Sequence, residues 1–140
     1  MAFTGNYTCN SFKSGLINGD FDFDTDTIKM ALYTNAATLD EDTAAYTAVG
    51  EVPNTGTYSA GGVTLTVEKG ITNNTAFISF ADATISVSTA FTARGALIYK
   101  DGGSNPAICV LDFGSDKTAT TTFTVTFPTA SSADALIRLS

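Results

Sequence analysis

Between Phe91 and Phe127 the chain repeats itself every second residue. Phe123, Val125 and Phe127 are spaced by Thr124 and Thr126, and Phe91, Ala93, Leu97 and Tyr99 share one parity. Successive side chains of an extended strand point to opposite faces, so this pattern calls for sheets with one dry and one wet face. Two stretches of turn chemistry divide it, Asp101-Gly102-Gly103-Ser104-Asn105-Pro106 and Gly114-Ser115-Asp116-Lys117. Both are rich in residues that tolerate positive φ, and the first ends on a proline that stops strand pairing. The spacing predicts a three-strand β-meander.

The same reading extends to the rest of the chain. Strands are expected at Ile28 to Tyr33, at Val63, Leu65 and Val67, at Thr75 to Phe80, around Ile85 and Val87, and at Ala135 to Leu139, where Ile137 and Leu139 point inward and Arg138 outward. Turns fall at Pro53 to Gly56 and at Gly70 to Asn74, and Pro128 closes the strand before it. One or two short helical turns are expected in the N-terminal half. Ser11 to Ile17 would be capped by Ser11 and closed by Gly19, with Phe12 and Leu16 on one side. Leu39 to Tyr46 opens acidic and continues into alanines, which favours a helix N-terminus.

About eight short strands without crossover helices define an all-β protein, a two-sheet β-sandwich of jelly-roll or Greek-key kind. The long connection from Asn35 to Tyr58 lets the chain change sheets. With 140 residues the chain is expected to be one domain, 1–140, in which residues 1–10 form an N-terminal arm. Phe3 and Tyr7 in that arm either tuck onto their own domain or reach a neighbour. The 24 threonines suit strands with a soluble, weakly charged outer face.

Seven basic residues against fourteen acidic ones give a net charge of −7, which repels phosphate backbones and anionic lipid. Nucleic acid and membrane are therefore not expected partners. The start lacks a basic and apolar leader, and no run of eighteen apolar residues occurs, so a soluble protein made in the cytoplasm is expected. Cys9 and Cys109 match neither a disulfide framework nor a metal-ligand spacing and are expected as half-buried free thiols.

Histidine is absent, which removes the usual general base, the usual triad and the commonest transition-metal ligand. Neither Gly61-Gly62 nor Gly102-Gly103 is followed by the Lys-Ser of a phosphate loop. A non-enzymatic protein without cofactor is expected. The one metal-like feature is the row Asp20, Asp22, Asp24 and Asp26, whose first three members match the start of a calcium loop. Thr25 stands where that loop needs glycine, and Ala31 where it needs glutamate. In an extended segment the four carboxylates would share a face, either as a charged edge that deters sheet addition or as a cation site. Arg94, at a polar parity in an apolar strand, is either an outward arginine or a fork that pairs a carboxylate at an interface.

The succession SFKSGLINGDFDF, DTIKMALYTNAATLDEDTAAYTAVGEV, TARGALIYKDG, VLDFGSDKTAT and TFTVTFPT resembles small virion structural proteins of tailed bacteriophages over nearly the whole chain. The resemblance implies a capsid cement or decoration subunit that clamps major capsid subunits; the alternative is a receptor- or carbohydrate-binding module at the tail tip or on a head fibre. The expected partner is then the major capsid protein. The strong negative charge favours the outer surface of the head over a DNA-filled interior. Sheet edges that need covering make a homodimer plausible. Phe3, Tyr7 and Phe12 form one candidate docking element, the stretch from Leu39 to Tyr46 a second, and Arg94 is the candidate ion-pairing residue.

Overall fold

The computed structural model describes residues 3–140. Ten strands and one helix follow in the order β1 (Tyr7–Thr8), α1 (Asn10–Asn18), β2 (Thr27–Tyr33), β3 (Val63–Thr64), β4 (Val67–Thr72), β5 (Thr75–Phe80), β6 (Ala83–Ser86), β7 (Phe91–Asp101), β8 (Ala107–Ala119), β9 (Thr122–Val125) and β10 (Ile137–Leu139). The fold is all-β and sandwich-like. A five-stranded antiparallel sheet, β1-β8-β7-β2-β3, faces a layer made of a three-stranded sheet, β10-β5-β4, and a two-stranded ribbon, β6-β9.

The five-stranded sheet is buried on both faces. On one side Ile28, Met30, Leu32, Ala96, Ile98 and Ile108 pack against Phe80, Ile85, Phe123, Val125 and Ile137 of the smaller sheets, with Phe12 of α1 joining them. On the other side Ala31, Tyr33, Leu97, Tyr99 and Val110 are covered by Phe3, Ala37 and Leu39 from the arm and the long connection. A strand buried on both faces reads as a continuous apolar run, which is why Met30–Tyr33, Gly95–Tyr99 and Ala107–Leu111 do not alternate.

Several elements differ from the sequence expectation, each for a local physical reason. The segment Gly114-Ser115-Asp116-Lys117 is not a turn but lies inside β8. There Ala93 faces Lys117 while Gly95 faces Asp112, so the extra residues of β8 bulge out, with Gly114 at a φ of 82°. The same irregularity flips the parity of β7: Phe91 and Ala93 face the main core together with Ala96 and Ile98, whereas Leu97 and Tyr99 face the second core. β9 pairs with β6 and not with β8, so the meander has two strands in place of three.

The strand from Val63 to Val67 is two strands. β3 pairs with Lys29 and Met30, Leu65 donates its backbone N–H to Ile28, and from Val67 onward the chain pairs with β5 in the other layer. Gly62 makes the approach feasible, because a Cβ there would sit 2.0 Å from the Met30 carbonyl oxygen. β4 then runs on to Thr72, and the turn proper is Asn73-Asn74, with φ of 52° and 64° as a two-residue hairpin of the right twist requires. This split and the two-residue β1 account for ten strands where about eight were expected.

The helix forms, but Cys9 occupies the N-cap position; Ser11 instead donates its hydroxyl to the Ala107 carbonyl at 2.7 Å. Gly19 closes it in the left-handed conformation, its N–H bonded to Gly15, as expected. The stretch Leu39 to Tyr46 is not helical. Its backbone partners come from the β7–β8 hairpin: Ala45 bridges Pro106, Tyr46 donates to Asn105, and Ala44 accepts from Ala107. These bonds leave the segment, where a helix would have kept them internal; only Asp40 to Thr43 closes on itself, as a turn in which the Thr43 N–H donates to the Asp40 carbonyl. Leu139 is 53% exposed, not inward as expected, whereas Ile137 beside it is buried.

Candidate interaction surface and the Glu51 cluster

The structure places the predicted docking residues inside the molecule or against it. Phe3 is fully buried, its ring so close to Gly95 that a Cβ there would be 2.4 Å from it, so the described part of the arm lies on its own domain. Phe12 and Leu39 are buried as well. Tyr7 is half-buried in register with Val110, its hydroxyl 2.6 Å from that of Thr4. Tyr46 stacks on Tyr99 at 4.9 Å. Arg94 does pair a carboxylate, but one of its own chain: Nε lies 3.1 Å from Asp112 Oδ1. These side chains close the fold and leave little apolar surface for a partner.

The aspartate row is a turn and not a strand, so it neither lines an edge nor converges on a point. Asp22 Oδ1 accepts the Asp24 backbone N–H, Asp26 Oδ2 accepts that of Asp22, and the Asp22 carbonyl accepts from Thr25 and Asp26. The remaining charge turns outward to cations of this chain, Asp24 to Lys69 at 2.8 Å and Asp26 to Lys100 at 3.4 Å. The Asp24 N–H and the Thr25 hydroxyl hold the Asp22 carboxyl below its ordinary range. Among the described residues no group of three or more acidic, cysteine or histidine side chains is placed to hold a metal.

The principal polar cluster is one that sequence reasoning missed. Glu51 accepts from the Tyr46 hydroxyl at 2.6 Å through Oε2, and from the Tyr58 hydroxyl at 2.7 Å and the Gly61 N–H at 2.8 Å through Oε1. Tyr58 in turn accepts the Leu32 backbone N–H at 2.8 Å, and the Tyr99 hydroxyl donates to the Gly61 carbonyl. Tyr33 donates to Thr47 at 2.7 Å. Four of the five tyrosines thus fasten the long connection to β2 and β7 around one carboxylate. No residue type in isolation announces this, since the partners are spread from residue 32 to residue 99. Both oxygens of Glu51 thus accept from donors of its own chain, which ties the long connection together at one point.

Burial dominates the titration of this side of the molecule. Desolvation pushes the Tyr33, Tyr46 and Tyr58 hydroxyls far up, with the Glu51 charge adding to it, and takes Tyr99 to about 12. Burial likewise pushes the free thiol of Cys9 to about 12 and that of Cys109 further. A raised folded-state pKa gives stability that is complete below the unfolded value and is lost as pH rises through the folded one. Stability is therefore expected to fall once pH exceeds about 8.5 for thiols and about 10 for phenols. Tyrosinate signals of Tyr33, Tyr46, Tyr58 and Tyr99 should emerge together with loss of the native circular dichroism. Gradual ionisation of these four rings in a folded chain would contradict the geometry.

What stays outside is a threonine-coated body with a few isolated apolar contacts. Thr84, Ser86, Thr122, Thr124 and Thr126 all lie exposed on the β6-β9 ribbon and beyond it. Ile17, Val49, Ile71 and Leu139 are the large apolar side chains most open to solvent among the described residues. The strands β4 and β10 end the three-stranded sheet, and each leaves one backbone edge without a strand partner. Among the described residues no helix is long and apolar enough to cross a membrane. Compared with protein-family models, with curated proteins and with solved structures, the chain matches none.

Proposed function

We propose that this protein is a virion structural protein of a tailed bacteriophage, a cement or decoration subunit on the outer surface of the head that strengthens contacts between major capsid subunits. The observation that carries the reading is the economy of the interior. Every buried side-chain polar atom among the described residues has a partner, and both oxygens of Glu51 are bonded by donors of its own chain. A body of this kind is rigid, and its free features are edges and surface side chains, which suits adhesion. The net charge of −7 suits the exterior of a DNA-filled shell.

Adhesion of this type needs no tight single contact. A specific interface buries about 1,600 Å², and a subunit, or a homodimer of it, that touches two capsid neighbours gains from the high effective concentration of the second contact. Quantitative mass spectrometry of purified particles tests the assignment. A cement protein is expected in fixed stoichiometry with the major capsid subunit and accessible to protease on intact heads. A handful of copies would assign it to a tail-tip or fibre recognition module, and absence from particles would overturn the virion reading.

A further inference from the structure

One sheet edge carries more information than exposure alone. β10 pairs with β5 on one side, Ile137 with Ile78, Arg138 with Phe77 and Leu139 with Ala76, and its other side has no strand partner among the described residues. That side borders a groove of about 650 Å³ lined by Thr8 of β1, Phe12, Lys13 and Leu16 of α1, and β10 itself. The row Ile71, Ala76 and Leu139 runs across the three strands at the groove end of the sheet, on the face that carries Ile78 and Ile137 further in. Because directly opposed residues share a face, this row extends the dry face of the sheet beyond the core. Ile71 is 73% exposed and Leu139 53%.

Charge narrows the choice of occupant. Of the seven basic residues, Lys29, Lys69, Arg94 and Lys100 pair with carboxylates of the chain. Lys13, Lys117 and Arg138 make no such pair among the described residues, and Lys13 and Arg138 both line this groove, which contains no acidic side chain. In a protein of net charge −7 it is a local cationic border. A second copy of the chain fits poorly, because antiparallel self-pairing centred on β10 would set Arg138 opposite Arg138, and like charges directly opposed across strands destabilise the pair. A strand with a carboxylate at that position gains where the self-pair loses.

We propose that the free edge of β10 is a docking site for an extended acidic segment of a partner protein, with an apolar, an acidic and an apolar residue opposite Ile137, Arg138 and Leu139. Backbone hydrogen bonds to the edge supply affinity, and alternate side chains supply the choice of sequence. The two apolar residues continue the rows that end in Ile137 and Leu139, and the carboxylate faces the guanidinium of Arg138, whose Nη1 donates to the Ala133 carbonyl and whose other N–H groups pair no carboxylate of the chain among the described residues. The proposal stands apart from the virion reading, since it concerns what the edge recognises and not where the protein resides.

The test uses the full chain, labelled with nitrogen-15, and two blocked peptides of sequence Thr-Val-Glu-Val-Thr and Thr-Val-Lys-Val-Thr. The acidic peptide is expected to shift the amides of 137–139 and of neighbouring Thr8 and Leu16, and to bind about fivefold more tightly than the basic one at low salt. Arg138→Glu, at an exposed position, is expected to reverse that preference, and Lys117→Glu, away from the groove, to preserve it. Should Arg138→Glu fail to fold, Lys13→Glu is expected to narrow the preference. No shifts at the edge, equal binding of both peptides by the native chain, or an unaltered preference in folded Arg138→Glu or Lys13→Glu would overturn the proposal. So would a dimer in sedimentation velocity that Leu139→Lys dissolves, which would give the edge to a second copy.

Discussion

Replacing Glu51 with alanine is expected to lower the unfolding free energy by about 3 kcal/mol and to loosen the connection from residue 34 to residue 62. Three donors converge on this carboxylate, and two of them cannot turn to water at once. Tyr58 is 1% exposed, and the Gly61 N–H is held beside it by the Tyr99 hydroxyl. Tyr46 lies closer to solvent and recovers part of its loss, which keeps the figure below the sum of three charged hydrogen bonds. Glu51→Gln retains shape and one acceptor and should fall between alanine and the native residue. Tyr58→Phe should cost about 2 kcal/mol by a different route, since it also orphans the buried Leu32 N–H. Urea denaturation gives the free energies, and hydrogen exchange localises the loosening to residues around Tyr46 and Gly61. A loss under about 1 kcal/mol for the alanine variant would mean that water replaces the carboxylate and that the cluster is decoration.

The elements that were legible from the sequence are those whose signal is local. β2, β5 and the Gly19 cap follow from apolar spacing and from one glycine with φ of 77°. The all-β class follows from the same spacing repeated along the chain. What was not legible depends on partners distant in sequence. The run Gly114 to Lys117 has turn composition, yet β7 lies beside it and accommodates the surplus as a bulge. The stretch Leu39 to Tyr46 has a plausible helical start, yet Leu39 is drawn into the second core and the hairpin end at Asn105 and Pro106 captures the backbone. The Glu51 cluster is the extreme case, a centre of six residues, Leu32, Tyr46, Glu51, Tyr58, Gly61 and Tyr99, from four separated segments. Aromatic residues near a terminus carry a comparable ambiguity: the sequence shows that they need cover but not whose.

That ambiguity can be tested on the free protein. Phe12→Ala is expected to destabilise the chain by about 4 kcal/mol, and Phe3→Ala by about 3 kcal/mol, without any partner present. Phe12 is 1% exposed and meets Phe21 and Phe23 edge to face at centroid distances of 5.0 and 6.0 Å, so its removal opens a cavity beneath α1, whose start is pinned by the Asn10 N–H donated to the Glu41 carbonyl. Phe3 rests on Gly95, the residue where β7 changes parity, beside the Leu111 carbonyl, and its loss leaves a void in the close-packed second core. Residues that serve a docking surface behave in the opposite way: their truncation leaves the isolated subunit stable and weakens only the complex. Thermal and chemical unfolding of the purified variants therefore decides between the two roles. Near-native stability of both would return the N-terminal aromatics to the interface. A large loss in both would leave partner recognition to the features still exposed, the sheet edges and the threonine-coated ribbon.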